Sequence, residues 1–269
     1  MAAPEEKDLH LAVLRDWAGA IAGLDEQGLA QPPTALACEL YPKAYKLLGV
    51  EDPYREKKAL ANARVLERLP ELEKEVRSSE NPLRVALNLA IHGNFIDLGA
   101  PGQFDWEHEL DVEELRSWSV EAHGEFEDKV AQGGRALVFG DNAGEIALDR
   151  LLVQLLRERG LEVDYVVRGV PIINDATRED ARAVGLDKLC RILDTGAGAP
   201  GVLLDRAGPE LRLALAEADL VLSKGQGNFE SLHGRLPGAF YAFKAKCEVV
   251  TKLLGVELGA SMFVREEGV

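Results

Sequence analysis

Residues 134–146 read GRALVFGDNAGEI. The apolar run Ala136–Phe139 stops at Gly140, and an amphipathic stretch from about Ala143 to Arg159 follows it. A run this short, bounded by glycine and continued by a 3.6-residue period, is a buried strand turning into a helix. The rhythm repeats toward the C-terminus. Strands are predicted at Val163–Val167, Arg191–Leu193, Leu220–Ser223 and Phe240–Phe243, with helices at about 178–184, 209–216 and 246–254. Buried strands alternating with helices form a doubly wound, mostly parallel α/β sheet. Such sheets bind ligands beyond the carboxyl ends of their strands, where the strand order reverses. Polar residues directly after strands are therefore the first candidates for chemistry.

Upstream the rhythm is different. Segments 6–25, 35–49, 53–77, 81–92 and 111–132 place apolar residues at three- and four-residue spacing, with few β-branched runs. Proline or glycine breaks them at Gln31-Pro32-Pro33, Asp52-Pro53, Asn81-Pro82 and Gly99-Ala100-Pro101-Gly102. Pro53 and Pro82 each follow a capping-type residue, as at a first helical turn. The expected organisation is a helical N-terminal subdomain over 1–130 and an α/β core over 131–269.

The 269 residues carry 31 basic and 46 acidic side chains, a net charge of −15. A surface this acidic repels polyanions, which argues against non-specific nucleic-acid or membrane binding. An anionic small molecule is still compatible, because a metal ion or a local cation inverts the field at one point. The three cysteines, Cys38, Cys190 and Cys247, have no CxxC spacing, so neither a zinc knuckle nor a disulfide framework is expected. The segment MAAPEEKDLHLAVLRDW is too charged for a signal peptide, and no apolar run reaches membrane-spanning length. The expected location is the cytoplasm.

Three loops at predicted strand ends hold the candidate residues. In Gly140-Asp141-Asn142-Ala143-Gly144-Glu145, Asp141 and Asn142 offer hard oxygen ligands suited to Mg²⁺ or Mn²⁺. The following N–H groups, at a helix start, are expected to face an anion. The plainer alternative is that Asp141 or Asn142 merely caps the helix. One crossover later, Arg168-Gly169-Val170-Pro171-Ile172-Ile173-Asn174-Asp175 places Asp175 as a second carboxylate and Arg168 as a fixed cation. After the strand DLVL, Ser223-Lys224-Gly225-Gln226-Gly227-Asn228 supplies Lys224 and two glycines that let backbone approach an anion. This is neither a Walker loop nor a dinucleotide fingerprint. From the helical half, Asn94 and Asp97 in GNFIDLG are expected to reach over the sheet edge.

The ordered motifs GVEDPYREKKALAN, GNFIDLG, GDNAGE, RGVPIINDAT, DLVLSKGQGNFESL and AKCEVVTKLLGV, spread from Thr34 to Val264, resemble the damage-control phosphatase family, also called domain of unknown function 89, in its compact prokaryotic branch. The resemblance implies a helical N-terminal part on an α/β/α core and a divalent ion, Mn²⁺, Ni²⁺, Co²⁺ or Mg²⁺. It places the metal ligands on Asp141, Asn142 and Asp175 and the lysine of the late loop on Lys224. It further implies hydrolysis of small phosphorylated metabolites, such as sugar phosphates or phosphopantetheine derivatives. Relatives often start with a CxxC segment, which MAAPEEKDLHLAVLRDW does not contain. In the expected chemistry Asp141 is a metal ligand or a nucleophile, while Lys224 acts on the phosphoryl group. Asn94, Asp97, Glu145, Arg168, Gly225, Gly227 and Asn228 are expected to bind substrate. A non-catalytic phosphometabolite-binding protein and a carboxyl methyltransferase are the alternatives, although nothing here reads as a site for S-adenosylmethionine.

Overall fold

The computed structural model describes residues 7–93 and 122–267. Six helices precede the sheet among these residues: α1 (Lys7–Ala22), α2 (Glu26–Leu29), α3 (Pro33–Leu48), α4 (Arg55–Arg77), α5 (Pro82–His92) and α6 (His123–Gln132). Asn94, Asp97 and the first part of the predicted 111–132 helix lie outside the described residues. At α5 the sequence signal is met: Asn81 Oδ1 accepts from the Arg84 N–H at 3.1 Å, and Pro82 occupies the first turn. At Asp52-Pro53 it is displaced. There α4 begins only at Arg55, because Asp52 Oδ1 takes the Tyr54 N–H in a preceding turn.

From Gly134 on, strands and helices alternate: β1 (Gly134–Phe139), α7 (Glu145–Glu158), β2 (Leu161–Val167), α8 (Arg178–Ala183), β3 (Arg191–Asp194), α9 (Pro209–Glu217), β4 (Leu220–Lys224), α10 (Gln226–Leu232), β5 (Phe240–Lys244), α11 (Glu248–Leu254) and β6 (Ser261–Arg265). The spatial order is β3-β2-β1-β4-β5-β6. Strands β1 to β5 are parallel, and β6 pairs antiparallel with β5. The order therefore reverses between β1 and β4, which puts Gly140-Asp141-Asn142 and Gly225 on either side of the crevice where ligands bind.

Side-chain alternation sorts the sheet residues into two cores, one on each face. Ala136, Val138, Tyr165, Val167, Leu220, Leu222 and Phe240 face α4, α5, α6 and α7. Leu137, Phe139, Val166, Tyr241 and Phe243 face α9, α10 and α11. The result is an α/β/α sandwich, in which helices from before residue 130 supply much of one layer. A small third cluster, Cys38, Ala197 and Ala199, seats α3 beside the strand ends. Helix α1 rests on α3 through the Trp17–Tyr41 ring contact, with centroids 5.3 Å apart. Among the described residues no helix is long and apolar enough to cross a membrane.

Candidate active site

The loops after β1 and β2 are fastened to each other. The Ala176 N–H donates to the Asp141 carbonyl at 2.8 Å and the Ala143 N–H to the Asn174 carbonyl at 2.9 Å, so Asn142 and Asp175 form an isolated antiparallel bridge. Across this bridge lies Arg168, whose guanidinium is nearly sealed from solvent. Its Nε donates to Asp175 Oδ2 at 2.6 Å, its Nη2 to Asp141 Oδ1 at 3.2 Å and its Nη1 to Asn228 Oδ1 at 2.8 Å. A planar fork of donors fixes two carboxylates and an amide in one geometry, which a lysine cannot do. Asn228 is fixed in turn, its Nδ2 donating to the carbonyls of Gly140 and Lys224 at 3.1 and 2.6 Å.

Asp141, Asn142 and Asp175 thus converge, as the sequence predicts. They line a cleft of about 390 Å³ together with Thr34, Tyr41, Gln226, Gly227, Glu230 and Lys246. Burial, then Asp175 and Glu145, push the Asp141 carboxyl up to about 7, and burial raises Asp175 as well. Two carboxylates, Asp175 buried and Asp141 open to the cleft, share a single guanidinium here, a deficit of positive charge that a cation would correct. All the side-chain oxygens presented are hard donors, which fits Mg²⁺ or Mn²⁺ better than a soft metal. Among the described residues no three His, Cys, Asp or Glu side chains gather as a metal cluster. A cation held here would meet two carboxylates and an amide, a small protein donor set of the kind that leaves coordination positions to water and substrate.

Several expected substrate contacts face elsewhere. Lys224 is fully buried and ion-paired to Glu145 and Asp149 rather than leaning over the sheet edge. Glu145 is equally buried, and its Oε2 accepts from the backbone N–H and Nδ2 of Asn142, both at 3.4 Å. Arg168 is spent on the two carboxylates and on Asn228, and Asn228 on Arg168 and the carbonyls of Gly140 and Lys224. The N–H groups of the GDNAG turn do not wait for an anion either: those of Asn142, Ala143 and Gly144 are taken by Glu145, the Asn174 carbonyl and Asn62 Oδ1. Of the two glycines, Gly225 has φ +87° and a Cβ there would lie 2.2 Å from the Asp141 carboxyl group. A Cβ on Gly227 would meet the Pro200 carbonyl oxygen at 1.8 Å. Close packing of protein on protein accounts for both glycines, and only Gly227 also lines the cleft.

Other residues supporting this site were not singled out from sequence. From α4, Asn62 Oδ1 accepts the Gly144 N–H at 2.6 Å while its Nδ2 donates to Asp180 Oδ1 at 3.0 Å. One turn earlier, Lys58 pairs with Asp52 at 2.8 Å and Asp180 at 3.0 Å. The motif GVEDPYREKKALAN is thus the clamp by which the helical layer grips the β1–α7 turn. Ile173 sits at φ +46°, costly for a β-branched residue, and its N–H donates to the Tyr45 hydroxyl at 2.9 Å. Such strain beside the Asp175 loop is what pre-formed sites carry.

Comparison with known proteins agrees with this fold. The family model described as damage-control phosphatase ARMT1-like domain matches residues 5–262. A damage-control phosphatase of Archaeoglobus fulgidus is 39% identical over 233 residues, covering 83% of this chain and 79% of the relative. A damage-control phosphatase of Pyrococcus horikoshii is 32% identical, covering 87% and 82%. A solved structure of a DUF89 family protein from Pyrococcus horikoshii superposes with a TM-score of 0.83 at 30% identity, covering 97% of this chain and 91% of the other. Matched along nearly its whole length in sequence and in fold, the chain belongs to the damage-control phosphatase family.

Proposed function

We propose that this phosphatase hydrolyses phosphate monoesters of small polyhydroxylated metabolites at the cleft between α3 and the strand ends, with Asp141, Asn142 and Asp175 holding its divalent ion. One observation carries the proposal: a single buried guanidinium draws two carboxylates to one point, at the reversal of strand order, and the cleft opens there. When bound, the ion supplies charge to a phosphoryl oxygen and to the attacking water. Mn²⁺, Co²⁺, Ni²⁺ and Mg²⁺ all accept such a donor set, and the oxygen-only side chains favour Mn²⁺ or Mg²⁺.

The protein's own groups do the rest. Lys246 lines the cleft and lies near enough to lower the proton affinity of Asp141. It takes over the role expected of Lys224, holding phosphoryl oxygens as charge develops. Asp141 Oδ1 accepts from Arg168 and Oδ2 from Asn142 Nδ2 at 2.8 Å. With both oxygens engaged, Asp141 suits a ligand better than a nucleophile, and water becomes the attacking group. Thr34, Tyr41, Gln226 and Glu230 give the cleft lining hydrogen-bonding groups matched to hydroxyls, which supports sugar phosphates over flat or apolar esters.

The test is hydrolysis of p-nitrophenyl phosphate, and then of a sugar-phosphate panel, by EDTA-stripped protein with and without each ion. Asp175→Asn should lose at least about 10²-fold in turnover at limiting Mn²⁺, as removal of one ligand or charge-stabilising group does. Wild-type turnover by that variant, or full activity in EDTA, would overturn the assignment.

A further inference from the structure

The Lys224 cluster lies outside the cleft yet reaches a residue that lines it. Tyr165 on β2, Glu145 and Asp149 on α7 and Lys224 at the end of β4 form one buried chain. The Tyr165 hydroxyl donates to Asp149 Oδ2 at 2.5 Å, and Lys224 Nζ donates to Asp149 Oδ1 at 2.5 Å. The same ammonium pairs with Glu145 Oε1. That leaves Glu145 Oε2 as the oxygen that accepts from Asn142, through both its backbone N–H and its Nδ2. The Asn142 Nδ2 also donates to Asp141 Oδ2. Each carboxylate oxygen in the chain has an assigned partner, with the donors Tyr165, Lys224 and Asn142 alternating with the acceptors Asp149 and Glu145.

An asparagine amide is nearly symmetric in shape but not in chemistry. Only its oxygen can bind a cation, so something must decide which end faces the cleft. Here two carboxylates claim the Nδ2 end, which leaves Oδ1 toward the site. One of those two, Asp141, is also a ligand in the present reading. Glu145 is therefore the acceptor dedicated to this task, and Lys224 fixes which of its oxygens is available. Burying an ammonium is expensive. Burial pulls Lys224 down, but the Asp149 and Glu145 carboxylates outweigh it and hold the lysine charged, above its ordinary value. A charged group kept at that cost, with no surface to solvent or substrate, is spent on orientation.

We propose that Lys224 is a positioning residue for the metal centre: with Asp149 and Tyr165 it holds Glu145 so that the Asn142 amide presents its oxygen to the cation, and it does not touch substrate. This rests on Asp141, Asn142 and Asp175 being the ligands. Groups behind a ligand typically set metal affinity by about 10–100-fold, which is the effect expected of Lys224→Met, a substitution that keeps the volume and removes the charge.

The experiment is calorimetric titration of EDTA-stripped full-length protein with Mn²⁺, followed by inhibition by inorganic phosphate at saturating Mn²⁺. For Lys224→Met the expected result is Mn²⁺ affinity lower by about 10–100-fold, with phosphate inhibition and KM unchanged once the ion is saturating. Unchanged Mn²⁺ affinity overturns the proposal, and a weakened phosphate constant at saturating Mn²⁺ returns Lys224 to substrate contact. Should circular dichroism show Lys224→Met unfolded, Tyr165→Phe decides instead. It removes only the hydroxyl that orients Asp149, and a several-fold loss of Mn²⁺ affinity is expected, whereas wild-type affinity overturns the proposal. Wild-type protein that takes up no Mn²⁺, or Asp175→Asn that binds it normally, would instead remove the ligand assignment itself.

Discussion

Arg168 and Lys224 stand at the ends of strands β2 and β4, each buried and each paired with two carboxylates. Arg168 spreads three directed donors over Asp175, Asp141 and Asn228 and keeps Asp141 at the floor of an open cleft. Lys224 is a point charge between Glu145 and Asp149, with all three closed off from solvent. The charge ratio is the same, two negative to one positive. In the first cluster the surplus negative charge faces a space that an ion can enter. In the second it is met from inside, by the Tyr165 hydroxyl and by burial that pushes Asp149 up to about 6. Access, rather than charge count, separates the two clusters.

The largest expected effect tests that difference directly. Arg168→Met leaves Asp141 and Asp175 facing each other without their guanidinium, and breaking a buried pair from one side costs about 3–5 kcal/mol. Metal-free protein should lose about that much in urea unfolding, and Mn²⁺ should restore part of it, because an ion that binds only the folded state stabilises by mass action. Lys224→Met should be destabilised too but recover less with Mn²⁺, since no ion can enter its cluster. Equal recovery in the two variants would break the comparison.

The direction of these side chains was partly legible in the sequence. Leu220, Leu222 and Lys224 share one face of β4 by strand parity, and the first two join the core beneath α4, α5 and α7. Glu145 and Asp149 sit four residues apart among Ile146, Leu148 and Leu152, on the buried side of α7. Read together, these two patterns point Lys224 inward. Its place at a strand end points it outward, and parity prevails. The strand–helix alternation was easy to read because buried parallel strands are apolar runs. Two elements were not. Strand β6 is a short antiparallel edge, and α10 has only seven residues, with Gly227 near its start. It is held by contacts that no local pattern reveals, such as Phe229 stacked on Phe243 at 4.6 Å. In α4, nothing local separates Lys57 from Lys58, and only packing against α8 sends the second to Asp52 and Asp180.

A smaller effect is expected where α4 meets the active-site turn. Asn62→Ala deprives the buried Gly144 N–H and Asp180 of a partner, and an orphaned buried group costs about 1–3 kcal/mol. Thermal unfolding with and without Mn²⁺ should show the loss in both conditions, with Mn²⁺ affinity also weakened because Gly144 terminates the ligand loop. A variant destabilised with unchanged Mn²⁺ affinity would mean that the helical layer stabilises the core without shaping the centre.

The smallest effect concerns a buried ionisable group of the opposite kind. His123 opens α6 against Phe263, with ring centroids 5.6 Å apart. Burial first, and Arg84 of α5 second, drive its pKa down to about 4, with Glu127 on α6 opposing weakly. At Lys224 the carboxylates outweigh burial; at His123 burial outweighs the carboxylate, so His123 folds as the neutral ring. The unfolded chain binds the proton at about 6.5 and the folded one only near 4, so the unfolded state carries more protons between those values. The contribution of His123 to stability is therefore full above pH 6.5 and lost as pH falls toward 4. Each tenfold difference in proton affinity between the two states is worth about 1.4 kcal/mol, and partial relaxation should leave about 1–2 kcal/mol over the window. His123→Phe keeps a ring in place and removes the titration, so wild type minus variant isolates this contribution from that of every carboxylate. Urea unfolding of both proteins from pH 7 to pH 4 should give a difference that grows on acidification. A flat difference would mean that Glu127 holds the imidazolium in the folded state, and that His123 belongs with Lys224 as a buried cation paired to carboxylate.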